Sequence, residues 1–447
     1  MKSAWLMGNV LVLMSLAASF TWAAPQPSEL VTLAPKVACD RCEGTLLKGR
    51  TTQNPAARWA MISDLPESFT SHGVLYSTRT MLPDNGGAEE LRNQRSAHGF
   101  TGIDGGFDVF LFHLISKNPQ LAARMVVYVT NLGDKPVTLL PRQVIKSEGL
   151  IGKVHEFEST LARRVLAEEW DRPLPRVEIP AGEGRVVAYG RQFGNVTNGP
   201  DASHNVNCFG YVRATVDGDA PASLQVDVIA VPPGPKTDLN AQAAALMLTG
   251  APTSDEVSMN EEPQGCALGR AVGVYPNFIW KNDTPFVLDA VALDTGGTSF
   301  SMALPEVQTR GCSDARQTTD LVLRPGYTRT DTVGNYMIPY DVRLTVMNSS
   351  TTETLRSDVV FGKTGADIGL AWQVVVADGM SVKSETAALY DGKPVQTKWA
   401  GPKQATTEAS LLSSPLELKP GEVKTVCLRF LICGNSSLPF DLGVKKL

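Results

Sequence analysis

Residues 124–140 read Arg-Met-Val-Val-Tyr-Val-Thr-Asn-Leu-Gly-Asp-Lys-Pro-Val-Thr-Leu-Leu. β-Branched and aromatic residues crowd both ends of this run, and Asn131, Gly133, Asp134 and Pro136 fill its middle. The ends suit extended backbone, while Asn, Gly and Asp tolerate the left-handed conformations of a tight turn. The run therefore predicts strand, turn, strand. Downstream, Val-Glu-Ile-Pro-Ala-Gly-Glu at 177–183 leads into Arg-Val-Val-Ala-Tyr at 185–189, a turn and then a strand. Upstream, residues 72–78 and 107–113 read as strands, and residues 206–216 and 223–231 as a closing pair.

The second half repeats this grammar. Tyr-Asp-Val-Arg-Leu-Thr-Val-Met-Asn-Ser-Ser-Thr-Thr-Glu-Thr-Leu at 340–355 aligns with the first stretch, Asn348 answering Asn131. Leu-Glu-Leu-Lys-Pro-Gly-Glu at 416–422, running into residues 423–430, answers 177–189. Short strands divided by turn residues, with 39 Gly and 29 Pro, have the texture of Ig-like sandwiches. The expectation is an all-β chain of two tandem β-sandwich domains with one or two short helical insertions. One insertion is 156–170, where Phe157, Leu161, Val165 and Leu166 share a face opposite Arg163, Arg164, Glu168 and Glu169. The other is the Ala-rich run 239–248, inside the Pro-containing segment 232–265 of linker composition. The expected division is 1–23 signal peptide, 24–66 leader, 67–235 first sandwich, 236–264 linker and 265–447 second sandwich.

Export follows from the first residues. Lys2 precedes the uncharged apolar run 5–16, and Thr21 and Ala23 are the small residues a signal peptidase reads before Ala24. The run is shorter than the roughly 20 residues of a spanning helix. No second apolar run of that length follows, so the expectation is a periplasmic or extracellular protein without a transmembrane segment after cleavage. A formal net charge of −5, with Lys and Arg scattered, argues against nucleic acid as a partner.

Five landmarks in fixed order carry a resemblance: His-Gly-Val-Leu-Tyr-Ser-Thr at 72–78, Gly-Phe-Asp-Val-Phe-Leu-Phe-His at 106–113, Val-Thr-Asn-Leu-Gly-Asp-Lys-Pro-Val-Thr at 129–138, Gly-Arg-Ala-Val-Gly-Val-Tyr at 269–275 and Gly-Asn-Tyr-Met-Ile-Pro-Tyr-Asp at 334–341. Over about residues 66–440 the chain resembles an exported, mainly cyanobacterial family of uncharacterised proteins, domain of unknown function 3370. Met337 departs from that pattern, which has Gly after Gly-Asn-Tyr. The resemblance implies export and a β-rich fold, and it transfers no functional residues.

The candidate chemistry is local. Cys39-Asp-Arg-Cys42 has the spacing of a thiol pair that chelates zinc or cycles as a dithiol. No second pair completes four metal ligands and no βαβ pattern surrounds it. A structural disulfide suited to an oxidising compartment is therefore the expectation, with metal or redox handling as alternatives. Cys266 with Cys312 is a second candidate bridge. Cys427 and Cys433 pair only if a bulge or turn near Leu431 folds the intervening strand, since a straight one separates them by about 20 Å. With seven cysteines at least one stays single within the chain, Cys208 by expectation.

The five histidines, 72, 98, 113, 155 and 204, are dispersed and suit structural roles better than a metal site. Asp-Gly-Gly-Phe-Asp at 104–108 resembles part of a calcium loop but lacks the distal Glu, so a Gly-rich turn is expected. Trp280 and Trp399 are the first candidates for stacking on sugar rings. Sequons stand at Asn195, Asn282, Asn348 and Asn435. No nucleophile elbow, phosphate loop or dinucleotide fingerprint occurs. No cofactor is implied. The reading is a non-enzymatic envelope or extracellular protein with a binding or structural role, its partner an envelope polysaccharide or another envelope protein. If it binds by loops, the segments around Asp104, 195–205 and 296–298 are the places to look. The alternatives are an exported carbohydrate-active enzyme, or metal or redox handling through Cys39 and Cys42.

Overall fold

The computed structural model describes residues 45–46, 49–54, 57–64, 68–80, 82–83, 102–115, 120–147, 154–194, 206–218, 222–249, 272–282, 286–293, 298–302, 323–324, 336–362, 370–378, 397–400, 409–432 and 440–447. The signal-peptide segment lies outside them. In chain order come β1 (Thr45–Leu46), β2 (Gly49–Gln53), β3 (Trp59–Ser63), β4 (Ser68–Phe69), β5 (Gly73–Ser77), β6 (Leu82–Pro83), β7 (Phe107–Ile115), β8 (Ala122–Asn131) and β9 (Val137–Ser147). Helix α1 (Val154–Leu166) follows, then β10 (Val177–Ile179), β11 (Gly184–Gly194), β12 (Val206–Val216), β13 (Leu224–Val231) and helix α2 (Leu239–Thr249). The second half adds β14 (Gly273–Pro276), β15 (Phe278–Asn282), β16 (Phe286–Asp289), β17 (Thr298–Met302), β18 (Leu323–Arg324), β19 (Pro339–Met347) and β20 (Leu355–Gly362). It ends with β21 (Leu370–Asp378), β22 (Thr397–Ala400), β23 (Ala409–Ser410), β24 (Leu416–Leu418), β25 (Val423–Ile432) and β26 (Phe440–Lys446).

Among the described residues the fold is all-β, of sandwich type, with four sheets and two short helices. The four-stranded sheet β11-β8-β13-β5 packs on the nine-stranded sheet β10-β9-β12-β7-β3-β14-β18-β6, where β4 also pairs with β7. Phe107, Val109 and Leu111 of β7 meet Val127 and Val129 of β8 and Val226 and Val228 of β13 in that core. In the second half β2-β15-β19-β25-β21-β22, with β16 on β19, faces β1-β17-β26-β20-β23, with β24 on β20. Tyr340, Val342 and Leu344 fill its core with Leu428, Phe430, Leu442 and Val444.

The nine-stranded sheet is buried on both faces, which is why β7 carries apolar residues on both its faces. Phe110, Phe112 and Leu114 turn away from the first core onto Leu161 and Val165 of α1, continuous with the second core. Helix α2 covers the outer face of the other sheet, setting Leu239 and Ala243 on Val126, Tyr128, Ile229 and Val231.

The repeated grammar is a repeated corner. The chain leaves β8 at Asn131 and re-enters as β9 in the facing sheet, and it leaves β19 at Asn348 and re-enters as β20 in the same manner. The Asn131 amide donates to Lys135 O (2.7 Å) and Ile179 O (3.0 Å) and accepts from Gly133 N (3.0 Å). Asn348 donates to Glu353 O (2.7 Å) and Leu418 O (2.9 Å) and accepts from Ser350 N (3.0 Å). The backbone matches as well. Asn131 N donates to Glu183 O and Gly182 N to Asn131 O; Asn348 N donates to Glu422 O and Gly421 N to Asn348 O. Gly182 (φ 74°) and Gly421 (φ 72°) hold the left-handed conformation this turn needs. An Asn side chain, with two donors and an acceptor on a short stem, is the group that ties both sheets at such a corner.

The expected leader and the helix of the expected linker both join the folded halves. The segment expected to be a leader, 24–66, supplies strands: β3 pairs with β7 in parallel and β14 in antiparallel, and β2 pairs with β15. β2, Gly-Arg-Thr-Thr-Gln, is polar and β3 is one short apolar run, so neither shows the two-residue alternation of a half-buried strand. Within the expected linker, 236–264, residues 239–249 are the docked helix α2. The two halves are therefore joined by shared sheets.

Two further features bear on stability. Met337 adopts φ 60° and is 2% exposed, a left-handed position that glycine occupies without a Cβ clash. Asp227 of β13 is fully buried, and its two carboxylate oxygens accept from Gln225 Nε2 (3.2 and 3.0 Å). Burial pushes its carboxyl up to about 6, against the opposing pull of hydrogen bonds from Ser77 and Gln225 and of the Arg79 charge.

Candidate functional site

The site begins with a defect in a strand. β11 is the edge strand of its sheet, and its register against β8 slips between Tyr189 and Gln192: Tyr189 faces Val126 and Gln192 faces Arg124. The extra residue is a β-bulge within Tyr189-Gly190-Arg191-Gln192, a feature that bends an edge and re-aims its side chains. The opposite sheet closes on it. Gln143 of β9 is 8% exposed; its amide donates to Tyr189 O (2.9 Å) and accepts from Tyr189 N (3.0 Å). One side chain thus satisfies both outward backbone groups of the edge and joins the sheets.

The turn after α1 completes the wall. The helix ends where Glu168 takes φ 52°, and the chain then drops to Asp171 along β9. Asp171 N donates to Gln143 O (2.7 Å), Asp171 Oδ2 accepts from Ile145 N (3.1 Å), and Oδ1 accepts from Arg164 Nη1 (2.8 Å).

Between these walls lies a cleft of about 670 Å³. Arg124, Arg164, Arg172, Arg191 and Lys236 line it with a single carboxylate, Asp171. Arg124 donates to Gly234 O through Nη1 (3.3 Å), and its buried Nε–H has no hydrogen-bond acceptor. The Lys236 ammonium stands 5.0 Å from the centre of the Tyr189 ring, in cation–π reach. Arg172, Arg191 and Lys236 are exposed. In a chain of net charge −5 this is a local concentration of positive charge, and a recess focuses such a field. A second cleft, about 480 Å³ in the other half, carries one cation and one carboxylate, Lys424 and Glu417.

The residues expected from sequence fall elsewhere. Trp280 is 1% exposed and its ring lies tilted against Tyr340, so it is a core residue and not a sugar platform. It lands inside because β15 lies between β2 and β19 and turns it into the second core. Trp399 lies in β22, and its side chain is outside the described residues. Cys427 is a free thiol buried in mid-β25, and burial raises its pKa. β25 runs in register with β19 and β21 through Leu431 and Ile432, so the bulge needed for a Cys427–Cys433 bond is absent there. Cys39, Cys42, Cys266, Cys312 and Cys433 lie outside the described residues, and Cys208 is buried in β12.

Of the histidines, His72 bonds Ala122 O (2.8 Å) and His113 bonds Ser63 Oγ (2.8 Å). His98 and His204 lie outside the described residues, as does the side chain of His155 on α1. Asp104 bonds Arg58 and accepts from Trp59 Nε1, and Asp108 is buried against Arg213, Tyr211 and Asn277. The two carboxylates serve different partners, as a structural turn requires and a calcium loop does not. Asn348 and Asn282 spend their side-chain amides on backbone groups, so those two sequons are closed in the folded chain. The loop segments 195–205 and 296–297 lie outside the described residues, while Thr298 opens β17. Among the described residues no group of three or more His, Cys, Asp or Glu could hold a metal ion, and no helix is long and apolar enough to cross a membrane.

The cleft was missed because its cations lie between positions 124 and 236, far apart in sequence. The one local signal is Gly-Arg-Gln at 190–192, which interrupts the strand after its apolar run Val-Val-Ala-Tyr at 186–189.

No protein-family model matches this chain, and no curated protein matches it. Among solved structures, the insecticidal delta-endotoxin Cry8Ea1 from Bacillus thuringiensis is similar at 11% identity and TM-score 0.18, over 85% of this chain and 60% of that one. The CUB1-EGF-CUB2 domain of human MASP-1/3 is similar at 8% identity and TM-score 0.17, over 76% of this chain and 99% of that one. Scores of this size do not define a shared fold.

Proposed function

We propose that the protein is an exported, non-enzymatic component of the cell envelope, periplasmic or extracellular, that binds envelope polysaccharide or another envelope protein through the first-half cleft. The observation that carries this reading is the cleft itself: five cations and one carboxylate gathered where Gln143 joins β9 to the edge strand β11 and Asp171 ties the turn after α1 to β9. A rigid scaffold presenting convergent charge at the edge of a sandwich is built for recognition. Export is supported by the charged and apolar start of the chain and by its resemblance to the exported family of domain of unknown function 3370.

The test is co-sedimentation of the purified protein with separated peptidoglycan sacculi, outer-membrane vesicles and exopolysaccharide. Saturable pelleting with one fraction, lost in a double variant Arg191→Gln/Lys236→Gln, is the expected result. Absence of pelleting with every fraction would sink the proposal.

A further inference from the structure

We infer that the cleft is an acidic-saccharide site: its occupant is a polysaccharide bearing oxyanion groups, either uronate carboxylates or sulfate esters. This rests on the binding reading above and names the chemistry of the ligand. Four of the five cations are arginines, whose planar forks engage carboxylate and sulfate oxygens two at a time. The Arg124 guanidinium lines the cleft, where its Nη1 donates to a neutral carbonyl, Gly234 O, and its Nε–H is buried without an acceptor. Arg164 is already neutralised by Asp171 and is held as part of the wall. The other cations of the lining are Arg124 at the base and Arg172, Arg191 and Lys236 at the rim.

The remaining lining favours a sugar backbone between the charges. Tyr189 offers an aromatic ring, Lys236 stands against it, and Gln192 adds an amide. An open cleft of about 670 Å³ has room for a short stretch of a saccharide chain, with several acidic groups spaced along it. Multiple charge pairs at a partly open site make the affinity fall with ionic strength.

The experiment is isothermal titration of the purified full chain with polygalacturonate, dextran sulfate and neutral dextran, at about 50 mM and about 500 mM NaCl, the higher salt shortening the screening length. The expected result is binding of at least one polyanion, no binding of dextran, and an affinity at least about 10-fold weaker at the higher salt. Arg191→Gln/Lys236→Gln, whose wild-type side chains are exposed, should weaken binding about 10-fold or more with the circular dichroism spectrum unchanged. Arg124→Gln tests the base of the cleft independently. Binding of only polygalacturonate or only dextran sulfate identifies the oxyanion. Dextran binding as tightly as the polyanions, polyanion binding indifferent to salt or to the rim variant, or no polyanion binding at all would each overturn the inference. Pelleting with a neutral envelope glycan alongside any of these would leave the broader binding role standing.

Discussion

Replacing Asn131 or Asn348 by alanine tests the duplicated corner, and the cost can be worked from the bonds removed. Each substitution deletes two donated hydrogen bonds and one accepted bond at a residue that is 1% or 0% exposed. A net value of about 1 kcal/mol per bond gives about 3 kcal/mol. The partners do not share the loss equally. Lys135 and Glu353 sit at exposed turns, where water replaces the lost donor. Ile179 and Leu418 are fully buried, so their carbonyls lose a partner that water replaces less readily, a penalty of roughly 1–3 kcal/mol. The expected destabilisation is about 2–4 kcal/mol for either variant, the two agreeing within about 1 kcal/mol. Asn240→Ala is the control: its side chain accepts from Val186 N on the exposed surface, and its loss should cost under about 1 kcal/mol. Equilibrium urea unfolding of each variant, followed by tryptophan fluorescence and by circular dichroism together, measures the differences and shows whether the probes report one transition. A cost below about 1 kcal/mol at either asparagine, or one corner outweighing the other by more than about 2 kcal/mol, would refute the equivalence.

Met337→Ala should destabilise more than Met337→Gly, by about 1 kcal/mol, because both lose the buried side chain while only glycine relieves the φ of 60°; the reverse order in the same unfolding assay would remove the claim of strain. Asp227→Asn should flatten the pH dependence of stability. A carboxyl held near 6 in the folded protein favours folding while protonated, and that contribution, about 3 kcal/mol at most, is present below about pH 4 and lost as pH rises through 6. The unfolding free energy of wild type minus variant, measured from pH 4 to 8, should fall across that window, and a flat difference would contradict it. Trp280→Ala should cost roughly 3–5 kcal/mol while leaving any saccharide affinity of the folded protein unchanged, and a loss of affinity at unchanged stability would return Trp280 to the site. Cys427 should resist thiol reagents in the folded protein and react on unfolding, read by mass spectrometry of the labelled peptide; rapid labelling of the native chain would contradict its burial.

What could be read from the sequence was what the backbone dictates locally. Asn131 with Gly182, and Asn348 with Gly421, were visible as paired turn signals because a turn's conformational demand falls on the residues within it. Both helices were visible, α1 by its apolar face and α2 by its alanine-rich composition. β2 and β3 were not, since a strand that completes another segment's sheet takes its burial from partners over 40 residues away and needs no alternation of its own. Trp280 was misplaced for a related reason: five residues of β15 do not reveal which face will meet the core. The cleft lay furthest from view. Arg124, Arg172, Arg191 and Lys236 become neighbours only when β11 bulges, α1 ends at Glu168, Gln143 binds β9 to β11 and Asp171 holds the turn after α1 on β9. Scattered arginines in an acidic chain therefore argued against a long polyphosphate stripe while saying nothing against a compact anion site. Net charge constrains the extended field of a molecule, and only the fold assigns the local one.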